Sequence, residues 1–192
     1  MATMHHLFFG VLFIAVCAFV GANNDILTSG YAVSPSIKVS GKRNDILQIA
    51  SAEIGVWEAT GNNDGKRVEE YLRYTNLGKG YAWCAAFVSW CYGQAGLPEP
   101  RNPWSPALFP NARTYCRGNA RRRPVTLPQI NPADVFGIYG ASVRRINHVG
   151  FVKDVQGKYL ITIEGNSNNR VESKRRHLAT IYALADWVGG KP

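Results

Sequence analysis

From Asn44 onward the apolar residues recur in two different rhythms, and the change between them divides the chain. Ile46, Ile49, Ala50 and Ile54 stand at helical spacing behind Asn44, which can cap a helix, so a first helix is predicted over Asn44–Val56. The turn-forming run Gly61-Asn62-Asn63-Asp64-Gly65 leads to a second predicted helix, Lys66–Asn76, with Val68, Tyr71 and Leu72 on one face. Gly78-Lys79-Gly80 breaks that helix. From Ala82 to Tyr92 the chain is apolar on every side, the pattern of a buried helix, and Gly96-Leu97-Pro98 stops it.

Residues 97–132 are rich in proline and read as loop, with one helical turn near Ala112–Cys116. Beyond Pro132 the period becomes two. Strands are predicted at Asp134–Tyr139, His148–Asp154, Tyr159–Glu164, Val171–His177 and Ile181–Trp187. Helices first and antiparallel strands second imply an α+β domain, with N-terminal helices packed on one face of an antiparallel sheet.

The start of the chain follows neither rhythm. Leu7 to Ala22 carries no charge and is mostly apolar. A signal peptide needs an apolar region of about 7–15 residues, a membrane span roughly 20. Val20-Gly21-Ala22 offers the small residues of a cleavage site, and polar Asn23-Asn24 follows. The expectation is a signal peptide over 1–22, a linker over 23–42 and one domain over 43–190. The product is then secreted or periplasmic, without stable membrane insertion once the leader is cleaved. An uncleaved anchor, or lipidation at Cys17, is the alternative.

Composition narrows the partners. Of 192 residues, 22 are Lys or Arg and 13 Asp or Glu, a net charge of +9. None of these lies in residues 1–22, so the excess stays with the exported part. It favours an anionic partner: nucleic acid, anionic lipid or a wall polymer. Export argues against nucleic acid. The Arg121-Arg122-Arg123 and Lys174-Arg175-Arg176 clusters are expected at the surface.

Beyond the leader lie Cys84, Cys91 and Cys116. An odd number leaves one thiol unpaired within the chain. Cys84 and Cys91 are two helical turns apart, about 10 Å, which excludes a bridge between them. If a disulfide forms, Cys91–Cys116 is the candidate and Cys84 the thiol left over. Metal-ligand spacings of the Cys-x-x-Cys or His-x-x-x-His kind are absent from the sequence, so no metal and no cofactor is expected.

A thiol attacks amides as the thiolate, which a helix N-terminus or a neighbouring histidine favours. Cys84 opens the buried helix just after a glycine break, where the helix dipole is positive. Cys91, mid-helix, reads as structural. Of the two histidines outside the leader, His177 follows a basic run and looks solvated, while His148 starts the apolar strand His148-Val149-Gly150-Phe151-Val152. Glu164 ends the next strand, and Asn166 lies two residues on. A three-residue hairpin loop Val155-Gln156-Gly157 would set residue 148 opposite 164, close enough for a carboxylate to hold an imidazole. A two-residue loop Gln156-Gly157 would put Glu164 on the other face.

Four runs then carry a family resemblance: Glu53-Ile54-Gly55-Val56-Trp57-Glu58, Trp83 to Trp90, Asn147-His148-Val149-Gly150 and Ile163-Glu164-Gly165-Asn166. Together, over about residues 43–188, they resemble the CHAP domain, the cysteine, histidine-dependent amidohydrolase/peptidase family of papain-like fold. The resemblance implies Cys84 as nucleophile, His148 as base and Glu164 or Asn166 as the group orienting it. It implies a peptidoglycan hydrolase, either N-acetylmuramoyl-L-alanine amidase or cross-bridge endopeptidase. An amidase on a non-wall substrate and an inactive wall- or nucleic-acid-binding module are the alternatives. An inhibitor or immunity partner has no signature in the sequence. Two features depart from the family pattern. Trp83 stands where many members have a glutamine that helps stabilise the oxyanion. Tyr71 to Trp83 also lacks the carboxylates through which some phage members bind calcium.

Overall fold

A computed structural model describes residues 35–118 and 130–189, with side chains from residue 41 onward. Three helices precede the sheet: α1 (Pro35–Ala52), α2 (Lys66–Tyr74) and α3 (Cys84–Gln94). Six strands follow: β1 (Thr114–Arg117), β2 (Val135–Gly140), β3 (Arg145–Gln156), β4 (Tyr159–Ser167), β5 (Arg170–His177) and β6 (Ala183–Ala185). They pair antiparallel in the order β1-β6-β2-β3-β4-β5. This is the α+β class that the two rhythms predict, with the helices on one sheet face.

The core explains the order of elements. Val68, Tyr71 and Leu72 of α2 and every residue of α3 from Cys84 to Tyr92 are buried. They pack with Val135, Val149, Phe151, Ile163 and Val171 of the sheet. Alternate strand positions, Phe136, Val152 and Leu160, join Ile181 and Leu184 in a smaller cluster on the other side. Gly165 lets α3 approach β4, because a Cβ there would lie 2.7 Å from the Phe87 Cβ and Cγ. Truncating a core aromatic such as Phe87 to Ala costs about 3–5 kcal/mol.

Four expectations are corrected. Residues 35–42, read as the end of a linker, belong to α1. Proline is suited to a first helical position, where its missing N–H costs nothing. Residues 23–34 lie outside the described part, as do the signal peptide and Arg121-Arg122-Arg123. At its other end α1 stops at Ala52 rather than Val56. Gly55 turns there with φ +98, and the next residues bond to the β5 edge, with Val171 N–H on the Val56 carbonyl and Trp57 bridged to Arg170. The segment read as a helical turn near Ala112–Cys116 contains β1, whose partner β6 lies almost seventy residues away in sequence, beyond any local signal. Cys91 and Cys116 do not pair. Cys91 is a buried free thiol in the helix-side core, and Cys116 packs in the cluster on the opposite sheet face.

β3 carries two irregularities. Ile138 pairs with His148 but Tyr139 with Ile146, leaving Asn147 as an extra residue towards β2. Val152 pairs with Thr162 but Asp154 with Ile161, leaving Lys153 extra towards β4. Both bulges flank the site. Among the described residues, no helix is long and apolar enough to cross a membrane.

Candidate active site

Cys84 is the first residue of α3, after Trp83, and is 4% exposed. Burial pushes its thiol pKa up, but three groups together bring it below the ordinary value: His148, the Ser105 hydroxyl and the Val149 backbone N–H. The Ser105 Oγ is 3.4 Å from the Cys84 Sγ. The helix N-terminus adds a partial positive charge at the same sulfur. Cys91 shows the contrast. Equally buried and mid-helix, its thiol is pushed well up by desolvation and by the charge of Glu53.

His148 stands on β3 with its side chain 18% exposed. Its Nε2 lies 2.8 Å from the Glu164 Oε2, which leaves Nδ1 as the ring nitrogen available to the thiol. Burial disfavours the protonated ring, yet Cys84 on one side and Glu164 on the other raise its pKa to about 9. The charged forms of Cys84 and His148 therefore each favour the other. Glu164 is fully buried. Desolvation opposes its charge, but Arg176, His148 and Thr162 bring its pKa down to about 2. Arg176 clasps it with two bonds, Nε to Oε1 at 2.8 Å and Nη2 to Oε2 at 2.5 Å. The Thr162 hydroxyl donates to Oε1 at 2.6 Å. All acceptor capacity of this buried carboxylate is thus satisfied.

The local register brings the pair together by a route different from the expected one. The hairpin loop is Gly157-Lys158, with Gly157 at φ +59 and Gln156 paired to Tyr159. Uninterrupted, that count would set Glu164 on the face opposite His148. The Lys153 bulge shifts the register by one, so Phe151 meets Ile163 and the next step sets Gly150 beside Glu164. Glu164 then shares a face with Gly150 and His148, and reaches the ring diagonally.

Asn166 is elsewhere. At φ +55 it donates to the Glu58 Oε1 at 2.9 Å and the Asn63 Oδ1 at 2.8 Å. The same Glu58 oxygen accepts the Trp83 indole N–H at 2.8 Å, and Glu58 Oε2 accepts the Asn63 backbone N–H. Asn166 and Trp83 therefore tie the loop after α1 to α3 and β4, and the structure brings together Cys84, His148 and Glu164 without Asn166. His177, the other histidine weighed, is exposed at the end of β5, and its Nδ1 accepts the Ala179 N–H.

A cleft of about 290 Å³ opens on Cys84, walled by Leu77, Tyr81, Trp104, Ser105, Arg145 and Asn147 among others. Tyr81 and Trp104 are 58% and 56% exposed, large aromatic faces beside the thiol. Among the described residues, Arg145 is the one charged side chain of the Lys, Arg, Asp or Glu kind on the cleft wall. Sequence reasoning missed Ser105 and Arg176. Ser105 sits in a proline-rich loop with no periodic signal. Arg176 looked like part of a solvated run, although its strand's pairing with β4 was a route to finding it.

No curated protein and no solved structure matches the chain. Residues 76–166 match the family model of the CHAP domain, a span running from just ahead of α3 to Asn166 and enclosing Cys84, His148 and Glu164. Over that span the chain is similar to the CHAP domain, whose members are typically cysteine- and histidine-dependent amidohydrolases or peptidases.

Proposed function

We propose that the protein is an exported peptidoglycan hydrolase that cleaves an amide bond with Cys84 as nucleophile and His148 as acid and base. The observation that carries this reading is the unbroken line from Cys84 through His148 to the Glu164–Arg176 pair, at the floor of a cleft. The thiolate attacks the amide carbon and forms a C–S bond. The imidazolium then gives its proton to the leaving amine as the C–N bond breaks. His148, now neutral, takes a proton from the water that hydrolyses the thioester, and the thiolate is restored. Glu164 holds the ring and stabilises its charged form without exchanging the proton.

The wall as substrate is supported by the cleft and the charge. Tyr81 and Trp104 offer flat apolar faces for sugar rings or a peptide, and Arg145 offers a cation for a stem-peptide carboxylate. The +9 net charge suits an anionic polymer. The apolar leader supports export to where that polymer lies. A gel with embedded peptidoglycan tests the activity: clearing by the wild type and none by Cys84→Ala is expected. Mass analysis of released fragments distinguishes the amidase from the endopeptidase. Absence of clearing, with wall binding retained, would make the protein a binding module.

A further inference from the structure

We propose that Ser105 supplies the second hydrogen bond to the oxyanion formed when Cys84 attacks, the backbone N–H of Cys84 supplying the first. This rests on Cys84 being the nucleophile, though not on which amide is cleaved. Attack on a carbonyl moves negative charge onto its oxygen, and preorganised donors there lower the barrier. Two nearby side chains are already committed. The Trp83 indole N–H is buried against Glu58, and the Asn166 amide donates to Glu58 and Asn63.

Ser105 is placed differently. It is 6% exposed, lies on the cleft wall, and starts a short 3-10 helix, Ser105–Leu108. The partner of its hydroxyl is the Cys84 sulfur itself, at 3.4 Å. In the resting thiolate this hydroxyl donates to the sulfur. As the C–S bond forms, the carbonyl π pair moves to oxygen, and the charge passes from the sulfur to an atom bonded to the carbon that the sulfur has just reached. A rotating hydroxyl follows the charge over that short distance. Collapse restores the C=O bond and breaks the C–N bond, and the amine leaves with the proton from the His148 imidazolium. The donor's gain is greatest in the transition state, so it acts on kcat more than on KM.

Two reagents separate this role from simple tuning of the thiol. Iodoacetamide alkylates the thiolate by displacement at carbon, with no oxyanion. p-Nitrophenyl acetate acylates it through one. Ser105→Ala is expected to lower wall hydrolysis by about 10²-fold, mainly in kcat. It should also lower ester acylation well beyond any change in alkylation, with the melting temperature nearly kept. Acylation and alkylation that fall in parallel, or not at all, overturn the proposal. So does an Asn147→Ala variant that shows the selective loss while Ser105→Ala does not, since Asn147 also lines the cleft. If the wild type acylates with this Ser105 dependence yet clears no wall, the oxyanion role stands and the peptidoglycan reading fails.

Discussion

Gly150 stands beside Glu164 so closely that a Cβ on the glycine would lie 3.0 Å from the Glu164 Cγ, and 2.8 Å from the Ile163 carbonyl oxygen. The space left by that absent side chain is the path by which the carboxylate crosses to His148. A backbone oxygen cannot yield as a flexible side chain can, so Gly150→Ala must shift β3 against β4. The expected result is a stability loss of about 1–3 kcal/mol, typical of overpacking, together with a larger loss of turnover. Melting curves and turnover on soluble muropeptide check it. Wild-type kcat in a folded Gly150→Ala variant would show that the close approach is unimportant.

Cys84→Ala and His148→Ala should each reduce hydrolysis by about 10⁴-fold or more, and the double variant no further, because members of a catalytic unit are not additive. Cys91→Ala should keep its turnover while losing about 1 kcal/mol of stability, as expected of a small buried side chain. Its thiol belongs to the core and is pushed away from ionisation. An inactive but folded Cys91→Ala variant would exchange the roles assigned to the two cysteines.

The pH dependence has two limbs. His148 is raised to about 9 from an ordinary 6.5, so its stabilising contribution is complete below 6.5 and is lost as pH rises through about 9. Glu164 is lowered to about 2 from 4.5, so its contribution is complete above 4.5 and is lost as pH falls towards 2. These two groups together stabilise the fold fully between those ordinary values, pH 4.5 to 6.5. The melting-temperature difference between wild type and a His148→Ala, Glu164→Gln double variant should be largest there. Hydrolysis should fall above about pH 9, when the imidazolium that protonates the amine is gone. Alkylation of Cys84 should titrate below the ordinary thiol value of 9.0. A midpoint at or above that value would contradict the mutual stabilisation of thiolate and imidazolium.

The basic run on β5 is not uniform. Arg176 is bound to the buried Glu164, and Lys174 pairs with Glu172 at 3.0 Å. Arg175 is exposed and lies over the Tyr159 ring. Arg176→Gln should therefore reduce turnover of wall and soluble muropeptide alike, because it releases the group that holds His148. Neutralising Arg175 together with Arg121, Arg122 and Arg123 should slow lysis of intact walls at low salt and spare the soluble substrate. That difference should vanish as the Debye length contracts from about 10 Å at 0.1 M salt to about 3 Å at 1 M. Lysis curves that coincide with wild type at every ionic strength would remove the surface charge from substrate capture.

The contrast between Arg176 and Cys84 shows what local pattern can reveal. The apolar run of α3 and the glycine break before it place Cys84 at a helix start with no knowledge of the rest of the chain. Likewise Val68, Tyr71 and Leu72 announce the buried face of α2. Arg176 acquires its role only through the pairing of β4 with β5, and β1 becomes a strand only because β6 is there to receive it. The hairpin between β3 and β4 is the subtler case. Gly157 correctly marks the turn, but a bulge at Lys153 has no signature in a sequence where lysine is ordinary on an exposed strand. Asn166 was legible as a polar residue near the site. Its commitment to Glu58 depends on a loop more than a hundred residues earlier.

The Lys153 bulge also constrains how such a chain can change over generations. Strand side chains alternate, so the β3–β4 hairpin carries a parity: one residue gained or lost between His148 and Glu164 exchanges inside for outside along everything beyond it. The two-residue turn and the single extra residue at Lys153 together leave three residues unpaired, and that odd number keeps His148 and Glu164 on one face. A lineage can therefore lengthen this turn by one residue only if the bulge disappears, or drop the bulge only if the turn grows. Intermediates with a single length change break the carboxylate–imidazole contact outright. Variation in hairpin length among functional descendants should come in paired steps, while substitutions at Lys153 itself, which leave the count intact, remain free to drift.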